Sequence, residues 1–169
     1  MIFFTADQHF GHRGILHHCN RPFKDIHEMN KEITRRHNER VGPNDTVWHL
    51  GDIAFKNPDK YLDMLNGKHM LIPGNHGTPG IKQAFDKIYE IKVEGQLIVL
   101  CHYAMRVWNK SHYNSWQLYG HSHGNLPPLG KQMDVGVDTH DFYPYSFEEV
   151  KALMDAAPDN FNFVGNKKV

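Results

Sequence analysis

The sequence is poor in cysteine and has no surplus of either charge, and each shortage closes off a class of protein. Its 169 residues include two cysteines, Cys19 and Cys101, and neither stands in a CxxC spacing. A disulfide framework and a thiolate zinc site are therefore not expected. Lysine plus arginine and aspartate plus glutamate each total 19, leaving a formal net charge of zero. Without a basic field there is no general affinity for polyanions, so long duplex nucleic acid is not an expected partner. No apolar run is long enough to span a membrane, and the start from Met1 to Asp7 lacks the basic residues and the apolar length of a secretion signal. A soluble, cytoplasmic protein with no membrane partner is expected. Nor is there an internal repeat, a low-complexity tract or a linker. Residues 1–169 read as one domain, able to bury about two-thirds of the surface its unfolded chain would expose. A homo-oligomer is left open.

Histidine, by contrast, occurs 14 times. Several of these residues stand just beyond short apolar runs. Ile2-Phe3-Phe4 precedes Asp7-Gln8-His9, Val47-Trp48-His49-Leu50 precedes Gly51-Asp52, and Met70-Leu71-Ile72 precedes Pro73-Gly74-Asn75-His76. Leu97-Ile98-Val99-Leu100 likewise runs into Cys101-His102, and Leu118-Tyr119 into Gly120-His121-Ser122-His123. Short, nearly continuous apolar runs of this kind read as buried strands. Between them the spacing predicts helices. From Asp25 to Val41, Ile26, Met29, Ile33, His37 and Val41 form one stripe that should pack on the sheet. Asn57-Pro58-Asp59 reads as a helix start with Gly67 as its close, and Thr78-Pro79 as a shorter start. Ser146-Phe147-Glu148-Glu149 is a capping box that opens a last helix, with Phe147, Val150, Leu153 and Met154 inward and Pro158 beyond its end. Residues 103–117 and 124–132 read as loops. Strands alternating with helices indicate an α/β fold.

In open α/β sheets, ligands bind beyond the carboxyl ends of the strands, and here five strand ends carry metal-capable residues. They are two carboxylates, Asp7 and Asp52, the amide Asn75, and the imidazoles His9, His102, His121 and His123. This oxygen and nitrogen set suits manganese, iron, zinc or nickel better than calcium or copper(I). Seven ligands exceed one such ion. Two ions roughly 3.5 to 4 Å apart, sharing one carboxylate, would use them all, and Asp52 is the natural bridge. Taken singly, the members have ordinary readings: Asn75 as a turn residue, Asp52 as a helix cap, His102 as a core histidine.

Asp7-x-His9, Gly51-Asp52, Gly74-Asn75-His76, His102 and Gly120-His121-x-His123 resemble, in order, the five blocks of the calcineurin-like metallophosphoesterases. The resemblance spans residues 7–123. It implies two mixed β-sheets packed as a sandwich flanked by α-helices, with two divalent ions, manganese first among the candidates. One ion would be held by Asp7, His9, Asp52 and His123, the other by Asp52, Asn75, His102 and His121. It further implies that His76 acts beside the ions, steadying the phosphoryl group or protonating the leaving oxygen, while a hydroxide bridging the ions attacks phosphorus in line. His76 and Asp52 are thus the implied catalytic residues. The family usually has an acid after Gly-Asn-His, and Gly77 stands there instead. Support for the His76 ring must therefore come from another group.

The function so implied is hydrolysis of a small phosphate ester or nucleotide, with a nucleotide-like diester favoured. A phosphomonoesterase with the same site is the alternative, and a non-catalytic scaffold of the same fold a further one; scaffold members tend to lose ligands, and here none is lost. His12 and Arg13 are candidate substrate contacts, Arg13 through its planar fork. Residues 10–24 and 103–117 are expected to cover the metals with His12, Arg13, Arg21, Phe23, Arg106 and Trp108, a mixture able to hold a phosphate and stack a base. Trp108 is expected to pack, with Arg106 at the surface. His37 and His49 read as packed histidines, and the His17-His18-Cys19 run is not read as a metal site because no second cluster accompanies it. Asp138 is expected to end a late strand from Met133 to Val137 and to orient a ligand histidine.

Overall fold

The strands Ile2–Thr5, Thr46–Leu50, Gln96–Cys101 and Trp116–Tyr119 form where side chains on both faces of an extended segment are buried, which requires cover on both sides. The computed structural model describes residues 1–76 and 88–165. Its elements run β1 (Ile2–Thr5), α1 (Ile15–His18), α2 (Ile26–Arg40), β2 (Thr46–Leu50), α3 (Pro58–Leu62), β3 (Lys68–Ile72), β4 (Ile88–Val93), β5 (Gln96–Cys101), β6 (Trp116–Tyr119), β7 (Gln132–Asp134), β8 (Tyr145–Ser146) and α4 (Phe147–Ala156).

Two four-stranded sheets result, in the orders β3-β2-β1-β8 and β4-β5-β6-β7. Both are mixed: β1, β2 and β3 are parallel with β8 antiparallel, and β5, β6 and β7 are parallel with β4 antiparallel. Their inner faces form one core, in which Phe4, Trp48, Leu50 and Ile72 of the first sheet meet Ile98, Leu100, Trp116 and Leu118 of the second. Phe147, Val150 and Met154 of α4 close that core. The capping box at Ser146 is present, its side chain accepting from Glu149 N while Glu149 accepts from Ser146 N. On the outer side of the first sheet, Ile26, Met29 and Ile33 of α2 pack with Phe10, Leu65 and Leu71. Asp25 caps α2 by accepting from Glu28 N at 2.8 Å. The architecture is the expected sandwich of two mixed sheets flanked by helices. Among the described residues no helix is long and apolar enough to cross a membrane.

Several expectations need correction. The helix after Asn57 ends at Leu62, well short of Gly67, and Asn57 is left-handed with a side chain that does not cap it. Leu153 is 51% exposed, since the inward stripe of α4 runs through Phe147, Val150 and Met154. The late strand ends at Asp134, and Asp138 sits instead in a 3-10 turn, Val137–Thr139. The edge strands β4 and β8 and the single turn α1 were not foreseen. In β4 exposed and half-buried positions alternate, a weaker signal than a continuous apolar run. The Thr78-Pro79 start lies outside the described residues.

Candidate metal centre

All five blocks lie beyond strand ends and converge on a single cleft. Asp7 and His9 follow β1, Asp52 follows β2, Asn75 and His76 follow β3, His102 follows β5, and His121 and His123 follow β6. A cleft of about 510 Å³ is lined by His9, His12, Asp52, His76, His121 and His123 among others. Two donor groups lie within it, each with ligand atoms within 4.8 Å of one another: Asp7, His9 and His123, and Asp52, His102 and His121.

Hydrogen bonds fix how these atoms face. His102 Nδ1 lies 2.7 Å from Leu50 O and can only donate there, so the proton of a neutral ring sits on Nδ1. Nε2 then turns a lone pair toward Asn75 Oδ1 at 2.9 Å and Asp52 Oδ2 at 3.4 Å. Three acceptors facing one another repel unless a cation or an added proton lies between them. On the other side, Asp7 Oδ1 and His9 Nε2 are buried with no hydrogen-bond partner. His9 Nε2 is also 3.7 Å from Asp52 Oδ2, which places that oxygen between the two groups. Unpartnered buried polar atoms cost about 1 to 3 kcal/mol each. The donor set therefore fits divalent cations, and its mixture of imidazole nitrogen and carboxylate oxygen suits first-row metals.

The electrostatics agree. Burial pushes the Asp7 carboxyl up to about 7 and holds the His9 imidazole down to about 3. For Asp52, burial alone would raise the carboxyl, but the hydrogen bond and charge of His102 lower it below the usual range. In His102 burial opposes the charged form, and the Asp52 and Asp7 carboxylates overcome it.

The backbone at the site is strained. Asp7, His9, Asp52, His121 and His123 all have left-handed φ, between 47° and 67°. Such conformations persist where surrounding contacts dictate them, and they gather at functional sites. Asp7 N donates to Gly51 O at 3.1 Å, His9 N to Asp52 O at 2.9 Å, and His121 N to Asp7 Oδ2 at 2.7 Å. A side chain at Gly51 would collide with His102 Nδ1, and one at Gly74 with Asp52 Oδ1, so both positions need glycine.

Around this centre stands a layer that the sequence reading caught only in part. Asp138 Oδ2 accepts from His123 Nδ1 at 2.7 Å, which leaves Nε2 of that ring for the centre. Arg21, expected in the cover, is buried: its guanidinium grips Asp138 through Nε and Nη2 at 2.8 Å each and donates to Asp7 O at 2.7 Å and Gln8 O at 2.9 Å. Asp134 was missed altogether. Its carboxylate accepts from Ser122 Oγ, Gly124 N and Gly136 N, which pins the His121–His123 turn. Nothing in the sequence singles out Arg21, whose carboxylate partner is 117 positions away, or Asp134, whose role depends on how the turn 10 to 12 positions before it folds back.

The remaining candidates divide. His12 lines the cleft, its Nδ1 3.3 Å from His9 Nδ1 and its ring stacked on Phe55, whereas Arg13 is exposed and does not line the cleft. The His76 backbone N–H donates to Asp52 Oδ1 at 2.8 Å, and its ring lies 5.5 Å from that of His9. Phe23 packs edge-on to Phe142. Trp108 is half-buried with its Nε1 donating to Ser115 O, and Arg106 lies over Phe161 at the surface. His37 and His49 are buried and hydrogen-bonded, to Asn66 O and to Gln8 and His69. Cys19 is a free thiol pushed up to about 11 by burial, and its sulfur groups with His123 and Asp138, not with His17 or His18.

No protein-family model matches the sequence. An uncharacterized protein of Methanocaldococcus jannaschii is 30% identical over 166 residues, covering 91% of this chain and 91% of its own length. Among solved structures, a protein of unknown function from Aquifex aeolicus superposes with a TM-score of 0.73 at 24% identity, over 90% of this chain and 98% of that one. Yfce, a phosphoesterase from E. coli, gives a TM-score of 0.42 at 18% identity, over 80% of this chain and 77% of that one. The archaeal relative shares nearly the whole chain, the Aquifex aeolicus protein shares the fold, and the blocks that meet in this cleft resemble those of the calcineurin-like metallophosphoesterases.

Proposed function

We propose that this protein is a divalent-metal-dependent hydrolase of phosphate esters, acting on a diester of nucleotide type. The observation that carries the reading is that two buried polar atoms without a hydrogen-bond partner, Asp7 Oδ1 and His9 Nε2, face the same cleft as Asp52 Oδ2, which lies 3.7 Å from His9 Nε2 and 3.4 Å from His102 Nε2. Asp7, His9, Asp52 and His123 would hold one ion, and Asp52, Asn75, His102 and His121 the other, with manganese the first candidate. Ions bound there supply Lewis acidity toward phosphoryl oxygens and toward water at neutral pH.

The chain's own residues supply the rest. Arg21 and Asp138 fix the His123 ring, and Leu50 O fixes His102, so the ligand atoms meet the substrate already oriented. His76 stands exposed at the cleft, where its ring can donate to a phosphoryl or leaving-group oxygen. His12 offers a second ring on the same wall. Phe55 and Tyr103, each 47% exposed, flank the centre against His12 and His121 and give flat apolar faces to a base, which supports the nucleotide-like diester.

The test is hydrolysis of a chromogenic aryl phosphodiester beside the matching monoester, in manganese, after chelation, and with Asp52→Asn. Turnover that needs the metal, disappears in the variant and prefers the diester supports the reading. Preference for the monoester replaces the substrate class, and failure of both esters with every divalent metal overturns catalysis.

A further inference from the structure

We propose that the groove between α2 and α3 binds a phosphate group, at a place separate from the metal centre. The groove, about 400 Å³, lies on the flank of the loop carrying His9 and His12 and touches that loop at Gly11. On α2, His27, Asn30, Lys31 and Thr34 follow the spacing that sets side chains on one helical face. Lys60 and Tyr61 of α3 stand opposite.

Six residues that carry hydrogen-bond donors thus line one groove: Lys31, Lys60, His27, Asn30, Thr34 and Tyr61. None of them is committed elsewhere among the described residues. Lys31 and Lys60 take part in no ion pair. Thr34 Oγ1 is buried without a partner, and Asn30 uses only its Oδ1, which accepts from Gly11 N at 3.2 Å. No carboxylate lines the groove. The nearby acids of α2 are occupied, Glu28 by Lys24 N and Glu32 by Arg35 and Arg36.

On a chain of zero net charge, two unpaired lysines beside uncommitted neutral donors and no acid make a local anion site. A phosphate dianion has enough acceptor oxygens to engage them together. The exposed Met64 side chain at the groove adds an apolar contact for an organic substituent, so a phosphomonoester such as a nucleoside monophosphate fits, as does free phosphate. An occupant would also bear on the centre: Tyr61 stacks on Phe10 at 4.8 Å, and Phe10 and Gly11 separate His9 from His12.

The experiment is an amide-resolved NMR titration of the full chain, with zinc supplied, using inorganic phosphate and adenosine 5'-monophosphate in turn. Saturable shifts of the Gly11 amide and the Asn30 side-chain amide are expected, weakened about tenfold or more in the Lys31→Glu/Lys60→Glu double variant. Tighter binding of the nucleotide, with shifts reaching the Met64 methyl, identifies an organic phosphate; equal binding identifies the free anion. Shifts confined to the cleft, or unchanged in the double variant, overturn the proposal. The groove response should persist in Asp52→Asn, so loss of hydrolysis and loss of this site are separate results.

Discussion

Asp7 is the sharpest point at which the site sets folding against function. Its carboxyl is fully buried and pushed by burial from 3.8 to about 7, so in the metal-free protein its ionisation opposes folding. For a carboxyl whose folded value lies above its unfolded value, the folded chain binds more protons between the two. Stability is then greatest below pH 3.8 and falls as pH rises through about 7. At about 1.4 kcal/mol per pH unit the full cost reaches about 4 kcal/mol above pH 7, and at pH 5 it is about 1.6 kcal/mol. Asp7→Asn removes the charge while keeping an oxygen for the His121 N–H. Chelated Asp7→Asn should therefore be more stable than chelated wild type at pH 8 by a few kcal/mol, with the gap narrowing by about 2.5 kcal/mol at pH 5. Denaturant unfolding at both pH values reads this. Adding metal at a hundred times Kd should narrow the gap at pH 8 by about 2.7 kcal/mol, because it stabilises only the chain that binds it. A gap that does not change with pH, or equal stabilisation of both chains by metal, would refute the argument.

Arg21→Ala should destabilise the fold by about 3 to 5 kcal/mol in thermal or denaturant unfolding, because it leaves Asp138 half-paired and the carbonyls of Asp7 and Gln8 without their donor. Metal affinity, read by calorimetry, should fall with it, since the same contacts hold His123. Ser146→Ala removes the capping box of α4 at some distance from the centre; it should cost about 1 kcal/mol in unfolding and leave metal affinity unchanged.

What could be read from the sequence was local in origin. The central strands β1, β2, β5 and β6 announce themselves because both faces are buried, and α2 and α4 because a capping residue precedes an apolar stripe. The strand-end position of the seven candidate ligands came from the same signal. Long-range contacts could not be read in this way. Arg21 read as part of the cover over the metals until the fold carried Asp138 to it across 117 positions, and Asp134 was one more strand residue until the His121 turn closed over it. Asn57 misled for a related reason: its side-chain type suits a cap, but a left-handed backbone turns it away from the helix.

The backbone strain explains why the five blocks carry information together that none carries alone. A left-handed histidine or aspartate costs about 1 kcal/mol or more relative to an ordinary conformation, and five ligands adopt it. No block holds its own strain. Asp7 is tied to Gly51 of the second block, His9 to Asp52, and the His121 turn to the Asp7 carboxylate. The second and fourth blocks meet only because Gly51 lets His102 approach, and the third lies against Asp52 only because Gly74 has no side chain. An isolated Gly-Asp or Gly-Asn-His has no such partners and relaxes into a turn. Their joint presence in order is therefore a statement about mutual support, and a chain that had lost one block should lose the geometry of its neighbours along with a ligand.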